Sequence, residues 1–411
     1  MNRAARIGIV AVSVVIFCYA GLGHVLGRAT DDKAYKSLTV YGEVLQKIQQ
    51  DYVDDPNMHT VTAGSLHGLL ESLDPQSSYL TPREYDEYKK KLQNSGTGET
   101  GLTLSKRFGY VIVLSVLPDS PGTKAGVRSG DIFESIGGFT TRDMSVGQAL
   151  NLLSGQPGTG IKVAVIRRGK ATPDEVDLVR EKLATPKIIV QKADPDILVL
   201  RLPSLDAGRA DEVRNRLLDA EKQGVRKVIV DLRECGRGPV SEAISLARLF
   251  VPSGTITTLR GQTVSAQVFS AEPKQVVWRN TVSVLIDATT SGAAEVFASA
   301  IVANHRGDVV GERTFGLASE QKLITMDDGA ALILTVANYY NPGGKSILEE
   351  GITPTEIVRA VPEDSDSGDD DAAPAPETQK EPGLGPRPLS PEDPIFHRAL
   401  DLLKTPVKKA A

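Results

Sequence analysis

Short apolar stretches alternate with amphipathic helical stretches over the second half of this chain. Ile197–Leu200, Val228–Leu232 and Val282–Ile286 have the composition of buried strands, and Ala210–Gln223 and Val240–Phe250 between them have helical spacing. Strands that alternate with helices pair in parallel, because each helix carries the chain back across the sheet. The sequence therefore predicts an α/β fold with parallel pairing for this region.

Composition limits both the fold and the partners. The chain has 411 residues, 40% hydrophobic and 24% charged, which suffices for two or three globular domains. A net charge of −5, without a basic stripe, argues against nucleic acid as a partner. The two cysteines, Cys18 and Cys235, cannot form a disulfide framework, and no Cys/His spacing indicates a metal site. We expect no metal and no cofactor.

The N-terminal stretch Ile7–Leu26 contains no Asp, Glu, Lys or Arg. A helix of this length spans about 30 Å, the thickness of the hydrocarbon core of a bilayer. Arg3 and Arg6 precede it, which places the N-terminus in the cytoplasm. We therefore expect one transmembrane helix in the inner (cytoplasmic) membrane, with the bulk of the chain periplasmic. A cleaved signal peptide is the alternative, disfavoured because no small-x-small cleavage site follows the apolar run.

Two patterned segments precede the α/β region. Tyr35–Leu92 has apolar residues at helical spacing, and within it Leu73–Tyr88 reads LDPQSSYLTPREYDEY. Gly101–Arg168 contains an apolar strand and then, from Ser120 to Gly138, the stretch SPGTKAGVRSGDIFESIGG. The first segment predicts helices, and the second predicts a small domain rich in strands and turns.

Together these segments resemble the C-terminal processing peptidases, also called tail-specific serine proteases. Leu73–Tyr88 is similar to the family's LDPHSxYL segment, and Ser120–Gly138 to the SPAxxAGxxxGDxIxxIxG pattern of its PDZ module. Leu334–Ile347 is similar to the later signature LTxAxYYTPxGxSI. The resemblance covers about Tyr35 to Val358 and the final helix. It implies a crotonase-like α/β core of superposed ββα units, with an inserted PDZ domain and an N-terminal helical region.

The stretch TTSGAAEVFASAIVANHRGDVVGERTFGLASEQ resembles the family's active-site region but lacks its reactive residues. Family members read GSASASEI and then GExTFGKGxxQ, and Glu295 and Gly311–Gly316 fix the alignment. The nucleophilic serine position then falls on Gly292, and the general-base lysine position falls on Leu317. Only the accessory glutamine is matched, by Gln321.

Glycine offers no side-chain nucleophile, and leucine offers no base. Because such a dyad acts as a unit, the resemblance predicts a peptidase homologue without an intact catalytic set. A rescue could use Ser291 as the nucleophile with Lys322 as the base. It requires a shifted register at both places, since neighbouring residues face different directions on helices and strands. We prefer to interpret Ser291 as a helix N-cap and His305 as a solvated loop residue.

The family's DLRxNPGG loop, which supplies a backbone donor to the oxyanion, is also changed. Asp231-Leu232-Arg233 is followed here by ECGRGP, so the oxyanion-type backbone groups would belong to Gly236 and Gly238, with Ala293 beside them. We interpret this change as relaxed constraint on catalysis. A thiol nucleophile at Cys235 is disfavoured, because no histidine lies beside it in sequence.

A short loop ahead of the PDZ pattern stands where the family binds a peptide carboxylate. Such a loop offers backbone N–H groups to the carboxylate while the peptide adds as a strand, and the Ser145–Leu153 helix contributes apolar side chains. The expected peptide-binding residues are Gly101, Leu102, Thr103, Leu104, Leu150 and Leu153. We expect hydrophobic protein C-termini as partners. A PDZ domain retained as a spacer is the alternative.

These observations predict six segments. They are a membrane anchor or signal (1–30), a helical region (31–95), a PDZ domain (96–180), a processing-peptidase-like α/β core (181–360), a disordered acidic and Pro-rich linker (361–390) and a terminal helix (391–411). The expected function is that of a membrane-anchored pseudopeptidase that binds C-termini as a scaffold or regulator, with a second copy or an active paralogue as candidate partner. Two alternatives stay open: an active serine endopeptidase with a non-standard site near Ser291, and a structural subunit of an envelope complex.

Overall fold

The N-terminal part of the chain is helical, which confirms the sequence-based expectation. The computed structural model describes residues 36–93, 96–107, 109–167, 172–359 and 393–404, and the chain divides into two compact units, Met1–Ser65 and Leu66–Ala411. Helix α1 occupies 36–51 and α2 occupies Met58–Glu71. Within the first unit, Leu38 and Val44 of α1 are exposed.

The second unit begins with a short strand and a capped helix. Strand β1 is Ser78–Leu80, and helix α3 is Pro82–Gln93. Thr81 and Glu84 form the start of α3, because the Glu84 carboxylate accepts hydrogen bonds from both the N–H and the hydroxyl of Thr81, each at 2.8 Å. Pro82 then occupies the first position of the helix, where no backbone N–H is needed.

A small antiparallel domain follows. Its elements are β2 (Leu102–Arg107), β3 (Tyr110–Val116), α4 (Pro121–Lys124), β4 (Ile132–Ile136), β5 (Phe139–Thr140), α5 (Val146–Leu153), β6 (Gly160–Ile166) and β7 (Asp174–Val179). The sheet order is β2-β3-β4-β6-β7, with β5 paired to β4. Phe133, Ile136 and Leu153 are among the fully buried side chains of its core. Ser145 caps α5 through a capping box with Gln148.

The remaining elements form the larger core. They are β8 (Ile189–Asp194), β9 (Ile197–Arg201), α6 (Arg209–Lys222), β10 (Lys227–Asp231), α7 (Val240–Arg248), β11 (Thr255–Arg260), β12 (Gln267–Ser270), a 3₁₀ turn (Pro273–Gln275), β13 (Thr281–Ile286), α8 (Ala293–Ala303), β14 (Asp308–Gly311), β15 (Ser319–Thr325), β16 (Ala331–Tyr340), β17 (Glu356–Ile357) and α9 (Pro394–Lys404).

The central sheet of this core has the predicted parallel pairing. Its order is β17-β14-β13-β10-β9-β8, and every neighbouring pair is parallel except β8 with β9. Alternate residues of β10 point to opposite faces. Val228 and Val230 face the layer that contains α6, α7 and α8, whereas Ile229 packs with Leu285 beneath α9. Helices on both faces explain why these strands are continuously apolar.

A second, antiparallel sheet has the order β1-β16-β11-β12, with β15 also paired to β16. A hairpin turn at Asp328-Gly329 joins β15 to β16, and Gly329 has a φ of 85° there. Sheets of both kinds with covering helices make a mixed α/β fold, as the sequence predicts.

The expectation of a single-pass inner-membrane protein is wrong for what the structure describes. No helix in the described ranges is both long enough and apolar enough to cross a bilayer. Ile7–Leu26, on which that expectation rested, lies outside the described residues.

Candidate functional site

Two loops meet at the carboxyl ends of the adjacent parallel strands β10 and β13. We call 232–239 the β10 loop and 287–292 the β13 loop. The N–H of Ser291 donates to the carbonyl of Cys235 at 3.1 Å, and the hydroxyl of Thr290 donates to the carbonyl of Leu232 at 3.0 Å. In open α/β sheets, ligands bind outside the carboxyl ends of the strands, so this junction is the expected place for a site.

A single carboxylate shapes the β13 loop. Oδ1 of Asp287 accepts hydrogen bonds from the N–H groups of Thr289 and Thr290, at 3.0 and 2.8 Å. The N–H of Glu234 in the β10 loop also donates to this carboxylate, at 3.2 Å from Oδ2. Asp287 thus forms the turn and ties the two loops together.

Gly292 lies at the point where this turn enters α8. Its backbone has φ 62° and ψ −120°, a conformation that residues with a Cβ rarely adopt. A Cβ added at Gly292 would have no atom within 4 Å, so a side chain here would point into open space. Hydrolases commonly hold a nucleophile on a sharp strand-to-helix turn of this kind.

Glu295 lies at the centre of the site, a role that no local sequence pattern indicates. Its fully buried carboxylate accepts four hydrogen bonds, from the hydroxyl of Thr314 (2.5 Å) and from the N–H groups of Gly316 (2.6 Å), Leu317 (2.8 Å) and Gly292 (2.8 Å). Burial raises the pKa of Glu295 to about 7, while these four donors act in the opposite direction. The carboxylate joins the start of α8 to the segment that follows β14.

The structure brings together Gly292 and Leu317, the two positions to which the motif resemblance assigns the family's serine and lysine. The N–H groups of Gly292 and Leu317 donate to the same oxygen, Oε2 of Glu295, each at 2.8 Å. Gln321 is exposed on β15, where its amide donates to the hydroxyl of Ser319 at 2.8 Å. No described contact joins Gln321 to either of the other two positions.

Ser291 differs from the expectation that it caps α8. The N-cap is Gly292, and α8 begins at Ala293. Ser291 is 1% exposed, and its hydroxyl has no hydrogen-bond partner among the described residues. Lys322, the base of the conceivable rescue, is exposed on β15. The interpretation of Ser291 as a capping residue is therefore wrong, because the chain enters α8 one residue later, through Gly292, whose positive φ favours glycine.

The β10 loop packs between the core and the small domain. A Cβ on Gly236 would lie 2.7 Å from the hydroxyl oxygen of Ser291 and 3.0 Å from that of Ser115 on β3, so only glycine fits. A Cβ on Gly238 would lie 2.2 Å from the carbonyl oxygen of Leu205. Ala293 is the buried first residue of α8. The expected oxyanion-type groups therefore belong to two adjoining, tightly packed segments.

Two further side chains of the β10 loop have structural roles. Arg237 forms ion pairs with Glu99, at 2.8 Å, and with Asp206, at 3.3 Å, which link the entry of the small domain to the core. Burial raises the pKa of the Cys235 thiol to about 12. A thiol that stays protonated is a poor nucleophile, which agrees with the expectation that Cys235 is inert.

The expected peptide groove lies between β2 and α5 of the small domain. β2 is an edge strand, paired on one side by β3. Gly101 has a φ of 77°, and a Cβ there would lie 2.3 Å from the Cβ of Ser120, so the loop before β2 requires glycine. Leu102 and Thr103 are partly exposed, and Leu150 on α5 is 43% exposed. A strand edge beside an exposed apolar residue fits peptide addition.

Two expected groove residues lie elsewhere. Leu104 and Leu153 are 3% and 1% exposed and pack in the core of the small domain. Their side chains cannot contact a peptide without unpacking that core. Leu150 and Leu153 are three residues apart on α5, but tertiary packing buries one and exposes the other. The prediction that Leu153 contacts the peptide through its side chain is therefore wrong, whereas Leu104 was expected to contribute its backbone N–H.

The other end of the groove is covered by the N-terminal helices. Lys106 on β2 is buried and forms an ion pair with Glu71 at the end of α2, at 2.5 Å. The amide of Gln148 on α5 donates to the carboxylate of Glu84 on α3, at 2.7 Å. Within the described ranges, no cluster of three or more His, Cys, Asp or Glu side chains could hold a metal ion.

Comparisons with known proteins agree with this architecture. Residues 196–358 match the family model of peptidase family S41, and residues 112–167 match the PDZ domain model. The carboxy-terminal-processing protease of Bartonella bacilliformis is 28% identical over 336 residues, which cover 80% of this chain and 76% of that protein. The carboxyl-terminal-processing protease of Synechocystis sp. is 29% identical over 322 residues, 76% of this chain and 74% of that protein.

The fold is similar to that of a solved structure. The photosystem II D1 C-terminal processing protease superposes with a TM-score of 0.65 and 22% identity, over 78% of this chain and 92% of that one. At this identity the likeness concerns the fold.

Proposed function

We propose that this chain, which carries peptidase family S41 and PDZ domains and is homologous to carboxy-terminal processing proteases, is a pseudopeptidase that binds protein C-termini. It would hold a C-terminal segment without cleaving it and would act as a scaffold or regulator. One observation carries this proposal. The backbone N–H groups of Gly292 and Leu317 meet on one oxygen of Glu295, and the motif resemblance assigns the family's serine and lysine to these two positions.

The chemistry of peptide cleavage supports the absence of activity. A serine–lysine mechanism needs a hydroxyl that attacks the carbonyl and a neutral amine that takes its proton. Gly292 carries neither group, and Leu317 reaches the Glu295 carboxylate only through its backbone N–H. Two nucleophiles remain nearby. The Cys235 thiol is fully buried, and the Ser291 hydroxyl has no hydrogen-bonded base among the described residues.

The binding half of the proposal rests on the small domain. The free edge of β2 offers backbone groups to an added strand, and the Gly101 loop precedes it, where a terminal carboxylate would sit. Leu150 provides an exposed apolar contact for the last side chain of the peptide. One such site buries little area, so a dissociation constant in the micromolar range, roughly −8 kcal/mol, is expected.

The experiment titrates one hydrophobic peptide, with a free or an amidated C-terminus, onto the full chain. We expect the free form to bind at least about tenfold more tightly, because amidation removes the charge that the loop N–H groups recognise. Leu150→Lys should weaken binding by about the same factor. Val179→Lys is the matched control, since Val179 is equally exposed on β7, at the far edge of the sheet from β2.

Equal binding of the free and amidated peptides would refute recognition of C-termini. If neither form binds, the result favours the alternative of a structural subunit in which the small domain is a spacer. The serine endopeptidase alternative is tested separately, by cleavage.

A further inference from the structure

A cavity lies at the opposite end of α8 from Gly292. It has a volume of about 380 Å³ and lies between the last turns of α8, the segment after β14 and the turn after β16. Its polar lining residues are Ser299, Arg313, Asn341, Lys345, Glu350 and Thr353. A cavity of this size suits a small molecule. Ser299 is seven residues after Gly292, roughly 10 Å along the helix, so this cavity is separate from the loop junction at Gly292.

Donor groups dominate the lining. Nε of Arg313 donates to the backbone carbonyl of Glu350 at 2.5 Å, which fixes the guanidinium and leaves its other N–H groups available. Neither Arg313 nor Lys345 forms an ion pair within the described part of the chain. Oδ1 of Asn341 accepts the N–H of Lys345 at 3.0 Å, so the amide N–H₂ of Asn341 faces away as a further donor. Against these two cations stands one carboxylate, Glu350.

An unsatisfied hydroxyl lies at the wall of the same cavity. Ser299 is 2% exposed, and its hydroxyl has no hydrogen-bond partner among the described residues. A buried hydroxyl without a partner destabilises the fold, so such a group calls for an explanation. The hydroxyl oxygen is closed to solvent in this structure, so the side chain must rotate about its Cα–Cβ bond before a ligand oxygen in the cavity can accept its hydrogen bond.

We propose that this cavity binds a small hydroxylated oxyanion, with a carboxylate or phosphate group held by Arg313 and Lys345. The guanidinium is suited to two-oxygen recognition, and the lysine adds a point charge. Ser299 donates to the buried end of the ligand, and the Glu350 carboxylate accepts from a ligand hydroxyl. The site involves no chemical step and does not depend on the peptide-binding proposal.

The cavity wall is directly connected to Glu295. Thr314 follows Arg313 and donates its hydroxyl hydrogen to the Glu295 carboxylate at 2.5 Å. The same hydroxyl oxygen accepts the N–H of Ile352, a lining residue, at 2.7 Å. A ligand that fixes Arg313 and Ile352 would therefore also hold the segment that binds the Glu295 carboxylate.

The test is calorimetric titration of the full chain, at low ionic strength, with inorganic phosphate, glycerol 3-phosphate and citrate as separate probes. Low salt is needed because exposed charges are screened. We expect glycerol 3-phosphate or citrate to bind more tightly than phosphate, because their hydroxyls reach Glu350. Lys345→Gln should weaken binding about tenfold, and Ser299→Ala a few-fold, as expected for loss of one charged and one neutral hydrogen bond. If phosphate binds as tightly as both hydroxylated probes, the ligand hydroxyls gain nothing from Glu350, and the proposal of a hydroxylated ligand is overturned.

Two control variants separate the site from general effects. Lys274→Gln removes an exposed cation from the 3₁₀ turn, and Ser283→Ala removes another buried, unpartnered hydroxyl, on β13. Both should bind the probes as the wild type does. Ser299→Ala should also unfold at the same temperature as the wild type or higher, since it removes an unsatisfied group. Absence of binding of all three probes up to about 10 mM, or binding unchanged in both cavity variants, would overturn the proposal.

Discussion

Replacing Gly292 with alanine tests whether the turn into α8 is held in a strained conformation. At φ 62° and ψ −120°, a residue with a Cβ pays about 1–3 kcal/mol. Alanine also lowers the conformational entropy of the unfolded chain, which offsets about 0.4–1 kcal/mol of this strain. No atom lies within 4 Å of the added Cβ, so no steric term is expected. The free energy of unfolding should therefore fall by about 1–2 kcal/mol.

The assay is urea unfolding followed by the fluorescence of Trp278. This is the only tryptophan of the chain and it is fully buried in the larger core, so its emission reports the domain that contains Gly292. Two glycines calibrate the result. Gly208 is the N-cap of α6, with φ 84° and nothing near its Cβ position, and Gly208→Ala should cost about the same or slightly less. Gly311→Ala should cost far more, because its Cβ would lie 1.9 Å from the Ile286 carbonyl oxygen.

Either of two results would refute this reasoning. Gly292→Ala without a measurable loss would mean that the turn relaxes and stores no strain. A loss as large as that of Gly311→Ala would mean that the space beside Gly292 is not open. A serine introduced at this position should carry the same backbone strain as alanine.

Three further changes test other parts of the structure. Burial raises the pKa of Glu295 from 4.5 to about 7, so its protonated form stabilises the fold at low pH and this stabilisation is lost as pH rises from 4.5 through 7. Relative to Glu295→Gln, the wild type should lose roughly 3 kcal/mol of unfolding free energy over that range. Urea unfolding that gives the two proteins the same dependence of unfolding free energy on pH would contradict this prediction. Phe396→Ala should cost about 3 kcal/mol, because Phe396 packs on the central sheet with Ile229; an unchanged urea midpoint would mean that α9 contributes little. Burial raises the pKa of Cys235 to about 12, so an alkylating reagent at pH 8 should label it only after unfolding, and rapid labelling of the native protein would contradict its burial.

The sequence was sufficient for the parallel core, and the reason is physical. β9, β10 and β13 are apolar on both faces, which occurs when helices cover both sides of a sheet. The helices between them each have one apolar stripe, which determines the side that packs against the sheet. Such patterns depend only on the spacing of residues along the chain, so they can be recognised without knowledge of tertiary contacts.

The site itself depended on contacts that no local pattern contains. Glu295 was visible as an alignment landmark, but its role requires Thr314 and Leu317, which only the fold brings to its carboxylate. The cap of α8 was placed one residue early, at Ser291, because serine is the commoner cap and the positive φ at Gly292 cannot be read from the sequence. Leu153 was assigned to the groove because helical spacing gives neighbours on a face but not which face is buried.

The central claim, that this protein binds without cleaving, is tested most directly by intact-mass spectrometry of a disordered substrate protein after prolonged incubation with the full chain. An active carboxy-terminal processing protease serves as the positive control, and a Ser291→Ala variant is run in parallel. The account predicts that the substrate mass stays unchanged with both forms of this protein, because neither Gly292 nor Leu317 can supply the required groups. Cleavage by the wild type that disappears in Ser291→Ala would contradict it and identify Ser291 as a working nucleophile.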